Sequence, residues 1–115
     1  MVEMAKPLEL AQSYMRSFFG KQPLESMVPL LAEGLIFEGP LHRSTSAKEY
    51  LDALRDNPPK NVTYNLEAVY ENKNSACLVY QFLKPGVETR MVQIFEVEDG
   101  KICKIKLVFD SREFT

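Results

Sequence analysis

The sequence predicts an α+β fold. Helix-like apolar spacing fills the first half, four strand-like runs separated by turn residues fill the second, and no repeat, low-complexity tract or long linker interrupts that order. At 115 residues the chain is expected to form one domain that buries roughly two-thirds of its unfolded surface and stands on its own core. A net charge of -2 gives no electrostatic reason to bind nucleic acid or an anionic membrane. The opening MVEMAKPLEL lacks the basic start and apolar run of a signal peptide, and no stretch approaches the ~18 apolar residues that span a bilayer. The expected location is therefore cytoplasmic.

From Pro7 to about Phe19, Leu8, Ala11, Met15 and Phe18, with Leu10 and Tyr14, recur at helical steps; Pro7 suits a first turn and Gly20 a stop. A second helical segment is expected from Pro23, carrying Leu24, Met27, Val28, Leu30 and Leu31, kinked at Pro29 and finished before Gly34. Leu35 to Glu38 reads as a short strand that Gly39-Pro40 ends. Ser46-Ala47-Lys48-Glu49 has the form of a capping box, so a third helix starts there, presents Ala47, Tyr50, Leu51 and Leu54, and stops before Asn57-Pro58-Pro59.

The remainder reads as a four-stranded meander, Val62 to Tyr70, Ala76 to Lys84, Glu88 to Val97 and Ile102 to Asp110. With Asp99-Gly100 as a two-residue turn, Val97 falls opposite Ile102, Ile94 opposite Ile105 and Val92 opposite Leu107. That register gives the helices Val92, Ile94, Cys103, Ile105, Leu107 and Phe109, and puts Met91, Gln93, Phe95, Val97, Ile102 and Val108 on the other face. Both faces are largely apolar, so the second is expected to meet a partner, most simply another copy: a homodimer through the sheet. Cys77 and Cys103 fall on strands about two spacings apart, ~9.6 Å, beyond disulfide reach, and are expected as free thiols.

Three pieces, AQSYMRSFF, IFEGPLHRSTSAKEYLDAL and FEVEDGKICKIKLVFD, together with the order of elements, resemble the SnoaL-like branch of the nuclear transport factor 2-like superfamily over nearly the whole chain. The resemblance implies a cone: a curved antiparallel sheet wrapped around the N-terminal helices, with a mostly apolar pocket between them. Members include ketosteroid isomerases, limonene epoxide hydrolases, scytalone dehydratases and polyketide cyclases, and also non-enzymatic transport and assembly domains, so fold alone does not settle function. On this chain the implied lining is Tyr14, Phe18, Met27, Phe37, Tyr50, Leu54, Tyr64, Ile94, Leu107 and Phe109, with Glu38, His42 and Asp110 near the mouth.

The candidates for chemistry are Tyr14, Glu38, His42 and Asp110. Tyr14 stands where the resembling isomerases keep an oxyanion tyrosine, although a tyrosine on such a stripe is ordinarily a core residue with its hydroxyl at a polar edge. Those isomerases carry an acid immediately before the proline, where this chain has Gly39; Glu38 is one residue early, which turns it to the opposite face. Their second acid is missing too, Gln93 or an apolar neighbour standing in its region. For the acid and arginine set of the epoxide hydrolases, Arg90, Glu96 and Asp110 are the available charges. Asp110 otherwise reads as a strand-end cap, and His42 is the one side chain whose ordinary pKa lies near neutrality. No metal-ligand spacing, phosphate loop or nucleophile elbow is present, and the expected chemistry, if any, is cofactor-free. A small apolar molecule held in the cone is the leading reading. A cofactor-free isomerase, dehydratase or cyclase and a dimeric interaction module are the alternatives.

Overall fold

The computed structural model describes residues 6–114. Helix α1, Pro7–Phe18, buries Leu10, Ala11, Tyr14 and Met15 along one stripe. Its first turn is tied to the far end of the sheet, where the Leu8 N–H donates to the Glu71 carboxylate at 2.9 Å. Such a bond satisfies one of the donors that every helix N-terminus leaves open. Gly20 then takes a φ of 78°, the left-handed turn that ends the segment.

The expected second helix is a 3-10 helix, Leu24–Leu30, followed directly by strand β1, Leu31–Glu38. Pro29 has no N–H to carry an α-helical ladder further, and the chain gains more by pairing with the sheet. β1 therefore starts earlier than Leu35 and contains Gly34. It runs parallel to the last strand, with Leu31 opposite Ile102 and Phe37 opposite Ile105. Strand β2, Arg43–Ser44, folds back on β1 through Gly39-Pro40-Leu41-His42, and the Gly39 N–H donates to the His42 carbonyl at 2.9 Å to close that turn.

Helix α2, Ala47–Asp56, is capped as its sequence requires: the Glu49 N–H donates to Ser46 Oγ at 3.1 Å, while the Glu49 carboxylate accepts from the Thr45 N–H. Arg55 forks onto the Glu25 carboxylate with two 2.8 Å bonds, joining α2 to the 3-10 helix, though at this exposure such a pair contributes little. Strands β3 (Thr63–Glu71), β4 (Ser75–Lys84), β5 (Val87–Glu98) and β6 (Lys101–Val108) form the meander, giving a curved sheet of order β2-β1-β6-β5-β4-β3. A second 3-10 helix, Ser111–Phe114, follows.

The β5–β6 register departs from the simple hairpin. Asp99 and Gly100 have φ of 52° and 75°, and Val97 lies opposite Ile102 as the turn dictates. Glu96 then lies opposite Lys104, so Cys103 is an extra residue, a β-bulge held by a contact from its Sγ to the Glu96 carbonyl at 3.3 Å. Beyond it Ile94 faces Lys106 and Val92 faces Val108, correcting the expected Ile94–Ile105 and Val92–Leu107 pairs. The faces of β5 are also the reverse of the expected ones, fixed by its unbroken pairing with β4, where Phe95, Gln93 and Met91 lie opposite the buried Ala76, Leu78 and Tyr80. Met91, Gln93 and Phe95 are buried against the helices with Ile102 and Ile105, whereas Val92, Ile94 and Val108 lie on the outer face.

Both cysteines are free. Among the described residues no helix is long and apolar enough to cross a membrane. Ser46→Ala removes the cap of α2 and is expected to cost about 1 kcal/mol, read as a lower urea midpoint with an unchanged slope. An unchanged midpoint would mean that the cap adds nothing to the stability of α2.

Candidate functional site

A cavity of about 400 Å³ opens between α1, α2, the β1–β2 turn and the inner face of the sheet, within the range that holds small molecules. Tyr14 enters it from α1, Tyr50 from α2, and Tyr80 and Gln93 from adjacent central strands. All four are buried. Their polar atoms satisfy one another: the Tyr14 and Tyr50 hydroxyls share a short hydrogen bond, and the Tyr80 hydroxyl donates to Gln93 Oε1 at 2.7 Å. Aromatic contacts hold the phenols in place, Phe37 stacking on Tyr50 at 4.7 Å and Phe95 meeting Tyr14 edge-on at 5.2 Å.

Burial sets the electrostatics of this cluster. Loss of water pushes the Tyr14 hydroxyl up to about 12, against which hydrogen bonds from Tyr50 and Gln93 act only partly. Desolvation likewise holds Tyr50 and Tyr80 well above their ordinary value, helped by the neighbouring phenols. The site therefore presents neutral donors. Among the described residues, no carboxylate, lysine or arginine lines it.

The sequence candidates divide between the cavity and the surface. Tyr14, Phe18, Phe37, Tyr50, Leu54, Leu107 and Phe109 line it, and His42 sits on its rim with Nε2 2.7 Å from the buried Ser44 hydroxyl. Glu38 does not: alternation along β1 turns it outward, to Lys104 at 3.8 Å and Arg43 at 3.7 Å. Asp110 also lies outside, clamped by the Arg112 guanidinium at 2.7 Å, which holds its carboxyl down to about 2. Arg90 pairs with Glu67 at 2.8 Å and Glu96 with Lys106 at 4.0 Å, both on the outer face, since the alternation of β5 buries Met91, Gln93 and Phe95.

Three expected lining residues are elsewhere. Ile94 is on the outer face, Met27 is enclosed in the core beneath the 3-10 helix, and Tyr64 packs on Phe19 and Tyr80. In their place the lining gains Phe19, Tyr80, Phe82, Met91, Gln93 and Phe114. The alternation of Ala76, Leu78, Tyr80 and Phe82 along β4 was the signal that would have found two of these. Gly39 is tightly surrounded: a Cβ there would lie 3.3 Å from Phe37 Cε1, so the ring would have to give by a few tenths of an ångström, and 3.6 Å from Leu107 Cβ, an ordinary contact. Among the described residues no group of three potential ligands gathers to hold a metal ion.

Helices packed into a curved six-stranded sheet, with an apolar cavity between them, define the nuclear transport factor 2-like cone class. Within it, the chain belongs to the SnoaL-like domain family, whose profile matches residues 11–105. A nuclear transport factor 2-like protein of unknown function from Cytophaga hutchinsonii superimposes with a TM-score of 0.83 at 18% identity, over 99% of this chain and 98% of that one. An epoxide hydrolase from M. tuberculosis, of the limonene epoxide hydrolase-like type, superimposes at 0.78 with 13% identity, over 97% and 88% of the two chains. A third such fold, from Mesorhizobium loti and of unknown function, gives 0.78 and 15% over 90% of each. At these identities the likeness is one of fold. No curated protein matches the sequence.

The buried phenols generate an alkaline prediction. The folded pKa of Tyr14, about 12, exceeds the ordinary 10.0, so the folded state holds a proton that the unfolded state releases. Its contribution to stability is intact below about pH 10 and falls as pH rises toward the folded value. Urea midpoints measured from neutral pH to about pH 11 should therefore decline, and less steeply in Tyr14→Phe than in the wild type. Equal slopes would show that Tyr14 is not the group being held.

Proposed function

We propose that this protein binds a small, largely apolar molecule inside the cone. The observation that carries the reading is a cavity of about 400 Å³ whose walls are aromatic and aliphatic and whose buried polar side chains are three phenols and one amide. Apolar walls supply affinity, and a few fixed polar groups orient the ligand. Any turnover would run on His42 and the phenols, since no carboxylate among the described residues lines the cavity. Two cysteines in thiol form fit a reducing, cytoplasmic setting.

Native mass spectrometry of the purified protein, with thermal shifts against small aromatic compounds, tests the reading. A hit should raise the melting temperature of the wild type and bind at least about tenfold more weakly to Ala53→Trp, whose indole would fill the cavity beside α2. Equal affinity for both proteins would place the ligand elsewhere.

A specific observation also supports a homodimer through the sheet. Cross-strand neighbours Val108, Val92, Val79 and Ala68 form an apolar band across four strands of the outer face, with Ile94, Cys77 and Tyr70 beside it. Val108 is 57% exposed and Tyr70 64%. The band is flanked by Arg90–Glu67 on one side and Glu96–Lys106 on the other, rims carrying both signs and so able to match a copy of themselves across a two-fold axis. Light scattering should give twice the 13.2 kDa chain mass, and Val92→Lys should return the single-chain value. A monomeric wild type at micromolar concentration would remove this reading.

A further inference from the structure

We infer that the segment from Asp110 to Phe114 is a strap that gates the cavity: Phe114 closes part of its wall, and Asp110, as a positioning residue, holds the turn that brings Phe114 there. This rests on the reading of the cavity as a binding site and deepens it by assigning how a ligand enters and leaves.

The path of the chain supplies the geometry. β6 ends at Val108, and the next residue, Phe109, still lines the cavity. From there the strap packs across the neighbouring strand β5 and reaches β4, where the Phe114 ring lies 5.8 Å from Phe82 and beneath the Lys84 ammonium at 5.1 Å. Phe114 also meets Phe109 edge-on at 5.0 Å, so one side chain bridges the ends of β6 and β4 over the cavity that Phe82 and Phe109 line.

The hold on this segment is light. None of Ser111 to Phe114 is buried, and none pairs with a strand. Segments with so little buried apolar surface lie at the low-stability end of a fold, from which ligand lids are drawn. The shape of the strap comes from Asp110. Its carboxylate accepts from the Arg112 backbone N–H at 3.0 Å and from the Arg112 guanidinium at 2.7 Å, and its carbonyl accepts from the Glu113 N–H at 3.3 Å. These bonds turn the chain immediately after the last strand. Asp110 does not itself line the cavity, so its effect on a ligand passes through Phe114.

Stopped-flow mixing with N-phenylnaphthylamine, a neutral fluorophore that brightens away from water, tests the gate. A gate moves association and dissociation together, whereas a wall residue that only touches the ligand moves dissociation alone. Phe114→Ala should raise the association rate constant about tenfold, as expected when about one molecule in ten of the wild type is open, and dissociation by at least as much. Asp110→Ala, which leaves the lining intact, should move both rates the same way by a smaller factor and add nothing in the double variant. Unchanged association in Phe114→Ala and Asp110→Ala overturns the gate while leaving a binding cavity intact, and full additivity in the double variant overturns the role of Asp110. Should Phe114→Ala fail to fold, the association rate of Asp110→Ala decides. A fluorophore that binds Phe114→Ala and not the wild type supports closure; binding to neither overturns the cavity reading, and the gate with it.

Discussion

The extra residue at Cys103 decides what strand β6 shows to each side. Alternation along a strand has a period of two, so a slip of one residue exchanges its faces. By taking up one residue of β6, the bulge lets Ile102 and Ile105, three apart, both point into the core. Phe95, Gln93 and Met91 follow on the inner face of β5, and Val92, Ile94 and Arg90 on the outer. Without it Ile105 and Leu107 would turn outward from β6, while the unbroken β4–β5 ladder would still hold Gln93 beside Leu78 on the inner face.

Local chemistry made much of this fold legible. The capping box at Ser46, the paired prolines after Asn57 and the Asp99-Gly100 turn each act within a few residues, and each appears where its sequence requires. What sequence reasoning missed was longer-ranged. Nothing near Leu31 announces that it will lie beside Ile102, so the segment after Pro29 reads as helix until the parallel ladder claims it. The bulge did leave a trace: Ile102, Ile105 and Leu107 are spaced three and then two, a break in alternation that a regular strand has no reason to contain. Among the candidate site residues, Tyr14 and His42 followed from face and turn. Glu38 and Asp110 were visible as charges, but the cations that hold them outside belong to other positions.

Charge and polarity are sorted with unusual consistency. Ion pairs occupy the outer face and the helix exteriors, where solvent makes each of them worth little. Inside, among the described residues, the buried polar side chains lining the cavity are hydroxyls and an amide, which low dielectric strengthens when they are paired and penalises when they are not. Such a cluster cannot take up a proton near neutral pH.

The crowding around Gly39 bears on how readily this scaffold can be remade. An engineer wishing to place a catalytic acid beside Pro40 would find that the first atom of any side chain presses on the Phe37 ring, which is itself stacked on Tyr50. Phe37 would have to give by a few tenths of an ångström to admit a side chain at position 39, and any shift of that ring is passed to the phenol stacked on it. Position 39 and the Tyr14–Tyr50 pair are thus coupled through one aromatic ring.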